Sequence, residues 1–276
     1  MAASNTVVYE SANPLVITYD NAPTDSTRKF IETLERNRWK YTLIGEGEVW
    51  KDFTNKLNGY RDAVAALSPE TLVILSDARD VLCVRGPKAF TKAFRSFGKD
   101  LLVSTELLCG GHFDVPPNFK CVQSIPLNEY WSHCGITSLP DRKFVNSGLI
   151  AGEAKAVLAF LEWAIRGKFT DDQYALCSYA NTFPAKIALD VEAAVFHTTT
   201  FGVNAGIQSI HVQKNDSPTF AELFGRGAFL LHVPGMKNKG QKLIYDSLVK
   251  TLDGGIGHTA ITAPYGYAEP DWDEVF

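Results

Sequence analysis

No apolar run in this 276-residue chain approaches the roughly 20 residues needed to cross a bilayer, so a membrane-spanning helix is not expected. The first residues, Met1-Ala-Ala-Ser-Asn-Thr6, lack a basic segment leading into an apolar stretch and a small-residue cleavage site, so no signal peptide is read there. Cysteine is scarce. Cys83, Cys109, Cys121, Cys134 and Cys177 are odd in number and contain no Cys-x-x-Cys pair, which disfavours a disulfide framework and a structural zinc. No cluster of Lys and Arg is present and the formal net charge is -4, which argues against a nucleic-acid partner. There is no internal repeat and no low-complexity tract. The simplest expectation is a soluble protein with reduced thiols, cytoplasmic unless the compartment is set by something outside these residues.

What is present is apolar patterning, with 45% hydrophobic residues and length enough for one large core, so a single domain over 1–276 is expected. Up to about residue 104, short apolar runs (14–18, 40–44, 72–75, 101–104) alternate with amphipathic stretches (26–38, 53–67, 87–97). That rhythm predicts an α/β fold whose mostly parallel central sheet is flanked by helices. Ligands in such sheets bind beyond the carboxyl ends of the strands, where Thr18, Ser76 to Asp80 and Ser104 to Glu106 fall. Residues 107–143, with Gly110-Gly111 and Pro116-Pro117, form an irregular segment read as an acceptor-binding flap or a structural excursion. Beyond it the pattern predicts a strand over 144–150, helices over 153–165 and 171–180, and a short hairpin from 186–189 and 194–197. Strands over 207–212 and 227–233 and a helix over 241–252 follow. Residues 253–276 are read as an extended arm.

The densest chemical signal is Thr71-Leu-Val-Ile-Leu-Ser-Asp-Ala-Arg-Asp80, an apolar strand that runs into two carboxylates three residues apart. Asp77 and Asp80 suit a hard divalent cation in a phosphate-binding crevice. They equally suit a turn that caps Val81 onward. His232 ends the apolar run Ala228-Phe-Leu-Leu231 and precedes a turn with Lys237 and Lys239, so it reads either as a metal ligand beside phosphate-binding cations or as a satisfied structural histidine. Asn146, Ser147 and Gly148 allow close approach of a ligand to backbone, although a plain turn explains them too. Asp171 and Asp172 open a helix, where capping is the ordinary use of acids and catalysis the alternative. Trp50, after a predicted strand, offers a face for stacking a base. Arg61 falls where it would reach the same side.

Taken in order, Leu43-Ile-Gly-Glu-Gly-Glu-Val-Trp50, Asn58-Gly-Tyr-Arg61, Val73-Ile-Leu-Ser-Asp-Ala-Arg-Asp-Val-Leu82, Val103-Ser-Thr-Glu106, Phe144-Val-Asn-Ser-Gly148 with Gly152, Asp171-Asp-Gln173 and Leu231-His-Val-Pro-Gly235 resemble the glycosyltransferase domain of the procollagen lysyl hydroxylases and its viral and microbial relatives. The resemblance implies a GT-A-type, Rossmann-like nucleotide-sugar-binding fold. It also implies a UDP-sugar donor and a manganese (or magnesium) ion held by Asp77, Asp80 and His232. Trp50 becomes the uracil-stacking residue. Thr18, Ser76 and Arg61 fall near the nucleotide, Asn146, Ser147 and Gly148 near the sugar or acceptor, and Gly235, Lys237 and Lys239 near the diphosphate. Asp171 and Asp172 are the sugar-contacting or catalytic carboxylates, with Glu106 an alternative base. On this view 14–106 is the nucleotide-binding half and 144–252 the sugar and acceptor half. The chain is too short to hold a hydroxylase domain as well.

The chain departs from the family at His232-Val-Pro-Gly235, where the family has His-Gly-Asn-Gly, and in its shorter acidic run. Residues 107–142 do not resemble the family, so the acceptor, a glycan or protein hydroxyl, is not transferred. Two other readings stay beside the transferase: a metal-dependent nucleotide-sugar hydrolase or nucleotidyltransferase, and a catalytically silent glycan- or nucleotide-binding module.

Overall fold

A computed structural model of the chain describes residues 13–106, 144–199, 210–213, 220–223, 226–235, 239–254 and 259–261. The segment read as a flap, Lys237 and most of the C-terminal arm lie outside them. The elements are β1 (Leu15–Tyr19), α1 (Asp25–Arg36), β2 (Lys40–Ile44), α2 (Phe53–Ala65), β3 (Leu72–Ser76), β4 (Val81–Cys83), a 3-10 turn (Pro87–Ala89) leading into α3 (Phe90–Ser96), and β5 (Leu101–Glu106). After the flap segment come β6 (Phe144–Glu153), α4 (Ala154–Arg166), α5 (Asp172–Thr182), β7 (Ile187–Leu189) and β8 (Phe196–Thr198). Then follow β9 (Ile210–Gln213), β10 (Phe220–Leu223), β11 (Arg226–Ala228), β12 (Leu230–His232), α6 (Lys239–Gly254) and β13 (Thr259–Ile261). No helix among the described residues is long and apolar enough to cross a membrane.

Six strands form the central sheet in the order β2-β1-β3-β6-β5-β7. β1, β2, β3, β5 and β7 run one way and β6 runs against both neighbours. This is the mostly parallel α/β sheet that the alternating pattern predicts. Because helices or a second sheet cover both faces, its central strands are apolar on both sides. Val73 and Leu75 of β3 enter a core with Leu57, Tyr60 and Val64 of α2 and Val157, Phe160 and Leu161 of α4. Leu72 and Ile74, pointing the other way, join Phe30 and Leu34 of α1, Phe90 and Phe94 of α3, and Phe196 and Leu230. Both α1 and α2 start on side-chain caps. Thr24 closes a capping box on α1, and the Asp52 carboxylate accepts from Thr54 N at the start of α2.

A second sheet, β4-β12-β8, packs behind the first. It differs from the sequence expectation in two ways. The predicted hairpin does not form: β7 pairs with β5 and β8 pairs with β12. The reason is Asp190, whose carboxylate accepts from the amides of Ala194, Val195 and Phe196 and so folds the connection into a tight corner that redirects the chain. The predicted strand over 227–233 is split at Phe229 into β11 and β12. The Phe229 ring packs edge-on against Phe90 at 5.4 Å, and Phe90 also meets Trp39 and Phe196. β9, β10, β11 and β13 form a further antiparallel sheet, to which residues 259–261 of the expected arm belong.

Five parallel strand ends gather at one rim. β6 runs the opposite way, so its beginning, Phe144 to Gly148, reaches that same rim. Ser104 pairs with Asn146 and Glu106 with Phe144, whereas Val103 pairs with Ile150, so residues 147–149 bulge out with no counterpart on β5.

Phe90 is fully buried and ties α3 to Phe196 of β8, to Phe229 just before β12, and to Trp39 just before β2. Replacing it with Ala is expected to lower stability by about 3–5 kcal/mol, read as a fall in the urea midpoint at unchanged slope.

Candidate functional site

The acidic loop is fixed at both ends by backbone. Asp77 N donates to Gly148 O at 2.9 Å, and Val233 N donates to Asp80 O at 2.8 Å. The second bond continues the antiparallel pairing of β12 with β4, in which His232 faces Val81. That pairing carries the imidazole to the carboxylates. His232 Nε2 lies 3.5 Å from Asp77 Oδ2 and 3.5 Å from Asp80 Oδ1. One ligand atom from each of Asp77, Asp80 and His232 lies within 4.8 Å of the others.

The imidazole is oriented by residues the sequence singled out for another reason. Asn146 Oδ1 accepts from Gly148 N at 3.0 Å and from Ser104 Oγ at 3.2 Å, so it is the oxygen of the amide. His232 Nδ1, 2.9 Å away, must then donate to it, which leaves Nε2 to face the acids. That buried Nε2 has no hydrogen-bond partner. A Cβ on Gly148 would lie 2.2 Å from the ring's Cε1, so only glycine leaves room for the imidazole. Burial pulls the His232 pKa down, but the nearby charges of Asp80, Asp77 and Glu106 outweigh it and hold the ring above its ordinary range. Two anionic oxygens and a ring nitrogen whose other nitrogen is held by Asn146 make a donor set that a divalent ion takes. The three residues therefore fit a metal.

Lys56 is the site residue the sequence reading missed. Its Nζ forms ion pairs with Asp77 Oδ1 and, at 2.5 Å, with Asp172 Oδ2, and it is buried. Burial disfavours the ammonium, yet the charges of Asp172 and Asp77 raise its pKa well above the ordinary lysine value, so it stays charged. A signal was present: Lys56 falls on the inward stripe of α2 with Leu57, Tyr60 and Val64, where a cation has no place without a buried partner.

The other acids divide by use. Asp171 is the N-cap of α5 and accepts from Tyr174 N at 2.6 Å, so capping is what the structure shows for it. Asp172 gives one oxygen to Gln173 N and the other to Lys56. Glu106 accepts from Gln173 Nε2, and Gln173 Oε1 in turn accepts from Ser147 N at 2.6 Å. Gln173 thus ties β5, the bulge of β6 and α5 together.

In front of these groups lies a cleft of about 460 Å³ lined by Tyr19, Asp20, Trp50, Phe53, Lys56, Asp77, Arg79 and Asp80 among others. Trp50, 41% exposed, leans on Tyr19 and Phe53 with ring centroids 6.0 and 5.4 Å apart. The Tyr19 hydroxyl donates to Glu48, and burial together with that carboxylate pushes its pKa up to about 12. Gly45, at φ +88, turns the chain over the Tyr19 ring, where a Cβ would clash at 2.5 Å.

Several residues expected at the nucleotide sit elsewhere. Arg61 does not line the cleft: it pairs with Asp62 on α2 and feels the charge of Glu162 on α4. The α2 turn that aims Lys56 inward aims Arg61 outward. The Thr18 hydroxyl is buried and donates to Ser76 O, and Ser76 Oγ donates to Asp77 O, so both hydroxyls brace the rim from within. Gly235 takes φ +76 at an exposed turn three residues beyond His232. Lys237 and the side chain of Lys239 lie outside the described residues.

Comparison with known proteins places this geometry in context. The family described as PLOD GT domain matches residues 10–239. A procollagen-lysine,2-oxoglutarate 5-dioxygenase of Drosophila melanogaster is 28% identical over 233 residues, covering 80% of this chain and 29% of that protein. An uncharacterised protein of Acanthamoeba polyphaga mimivirus is 20% identical over 183 residues, covering 63% of this chain and 36% of its own. The chain thus spans about a third or less of the length of these relatives. Among solved structures, a glycosyltransferase involved in glycosylation of the major capsid of PBCV-1 overlaps 83% of this chain and 98% of its own, with 11% identity and a TM-score of 0.44.

Two outcomes test the geometry. Gly148→Ala is expected to displace His232 from Asp77 and Asp80 and to weaken the binding of any divalent ion these residues take by about tenfold or more, measured by calorimetry, while far-ultraviolet circular dichroism stays unchanged. The second concerns acid. Burial would raise the Asp20 pKa, but hydrogen bonds from Arg79, Thr27 and Ala22 N outweigh it and hold the carboxyl below its ordinary 3.8. A depressed carboxylate stabilises the fold above the unfolded pKa and loses that contribution as pH falls through the folded value. Asp20→Asn is therefore expected to flatten the fall in melting temperature below about pH 4, while lowering the plateau at neutral pH.

Proposed function

The chain belongs to the PLOD GT domain family, and from that premise we propose that it is a metal-dependent glycosyltransferase that moves a sugar from a UDP-sugar to a hydroxyl of a glycan or protein acceptor. The observation that carries the reading is the convergence of the buried Nε2 of His232 on Asp77 and Asp80, 3.5 Å from an oxygen of each. In this reading residues 14–106 bind the nucleotide, and 144–252 supply the sugar and acceptor side.

Transfer breaks the bond between the anomeric carbon and the diphosphate, leaving negative charge on the phosphates while the sugar gains oxocarbenium character. Manganese or magnesium held by Asp77, Asp80 and His232 would supply Lewis-acid stabilisation of the departing diphosphate. The protein's own groups carry the rest. Asn146 keeps a proton on His232 Nδ1, so Nε2, once it has given up its own proton, is the nitrogen that would offer its lone pair. Lys56 takes up Asp77 Oδ1 and leaves Oδ2 on the side of His232. The same ammonium pairs with Asp172 at the rim, which makes Asp172, and not the capping Asp171, the better counter-charge to the sugar in this reading. Glu106, held through Gln173, stands as the alternative base. Trp50 presents a half-exposed indole face on which uracil would stack.

The test is slow background hydrolysis across a panel of UDP-sugars with manganese, which needs no acceptor. Release of UDP is expected. Release of UMP instead would favour the hydrolase or nucleotidyltransferase reading, and no turnover with nucleotide still bound would favour a silent binding module. Asp77→Asn with Asp80→Asn is expected to cut metal-dependent turnover by at least about a hundredfold at near-wild-type melting temperature. Full turnover in that variant would remove the metal assignment.

A further inference from the structure

Arg79 lies between the two acids of the loop, yet its side chain is turned to β1. Nε and Nη2 donate to the two oxygens of Asp20 at 3.1 and 2.6 Å, and Nη2 also donates to Ala22 O at 3.2 Å. Asp20 is 2% exposed and already accepts from Ala22 N at 3.0 Å and Thr27 Oγ1 at 2.6 Å. Each of its oxygens therefore holds two donors, which leaves no capacity for a ligand hydroxyl. Asp20 clamps the guanidinium plane. It reads nothing itself.

The clamp uses one edge of the guanidinium and spares the other. Arg79 is half exposed and lines the cleft, and both N–H groups of Nη1 lack a protein acceptor among the described residues. The other cation of the lining, Lys56, is spent between Asp77 and Asp172. The cleft also carries the carboxylates of Asp20, Asp77 and Asp80, so an anionic ligand needs a positive group with donors to spare. A planar guanidinium held in place before binding loses little rotamer freedom when it meets a phosphate.

Resting on the donor-site reading above, we propose that Arg79 is a specificity-determining residue that donates its Nη1 edge to the phosphate oxygens of a nucleoside diphosphate, and that Asp20 is a positioning residue acting through it. The experiment is calorimetry on the full chain: manganese alone, then UDP, UMP and uridine at saturating manganese, with GDP as a second diphosphate. Wild type is compared with Arg79→Lys, Arg79→Gln, Asp20→Asn and the double variant Asp20→Asn with Arg79→Gln, in which no buried carboxylate is left unpaired.

In Arg79→Gln and the double variant, the UDP dissociation constant is expected to rise about tenfold to a hundredfold, UMP less, and uridine and manganese alone by less than about twofold. Arg79→Lys and Asp20→Asn are expected to fall between, with the same order of ligands. Equal loss for uridine and UDP would overturn the assignment in favour of base recognition. Equal loss for manganese alone would reduce Arg79 to a support of the metal loop, and unchanged UDP binding would remove it from the site. The double variant decides the matter if Arg79→Gln does not fold. A wild type that binds neither UDP nor GDP overturns the donor-site reading and this inference together, whereas unaltered binding in the variants overturns this inference alone.

Discussion

The antiparallel pairing of β12 with β4 is the contact on which the rest of the site depends. It sets His232 opposite Val81, continues through Val233 N to Asp80 O, and so delivers a ring nitrogen to two acids far earlier in the chain. Neither partner strand is long, at three residues each. The pair is held instead by what packs around it: Phe90, Phe196 and Phe229 on one side, and Tyr245, Leu248 and Leu252 of α6 with Leu82 and Leu231 on the other. Most of the stabilisation is thus apolar burial remote from the polar groups it aligns.

The polar groups carry a cost that this burial offsets. Lys56, Asp172, His232 and Asn146 are all buried, and charges taken out of water are tolerated only when paired and hydrogen-bonded. Lys56 answers two carboxylates at once, and Asp77 is shared between that ammonium and the imidazole. Three acids near one lysine and one histidine leave an excess of negative charge at the rim, where Asp77, Asp80 and His232 bring their ligand atoms within 4.8 Å of one another.

The reversed strand β6 does what a parallel neighbour could not. A parallel strand would bring only its last residues to the rim, whereas β6 begins there and presents Asn146 and, from the bulge that follows it, Ser147 and Gly148. Three groups take separate tasks: the Asn146 carboxamide orients His232, Ser147 N meets Gln173, and Gly148 yields space to the ring. Tyr19, Trp50 and Phe53 line the cleft together with Asp77 and Asp80, so aromatic surface and carboxylates face one space.

The alternation of apolar strands with amphipathic helices, and the placement of Asp77, Asp80, Trp50 and Asn146 at strand ends, were legible in the sequence because strand and helix periods are local properties of the chain. His232 was legible as a residue ending an apolar run, and the order of motifs was enough to name a family. Residues 107–143 carried no period and were read as an acceptor-binding flap or an excursion; they lie outside the described residues. Lys56 was written in the inward stripe of α2, but its meaning required the two acids it meets. The strand β4, the separation of β7 from β8, the outward Arg61 and the pairing of Asp172 with Lys56 were decided by tertiary structure, whereas the cap at Asp171 is local and was the ordinary reading of its place. Three-residue strands have no periodicity of their own, and whether a carboxylate pairs or binds depends on neighbours that only long-range packing supplies.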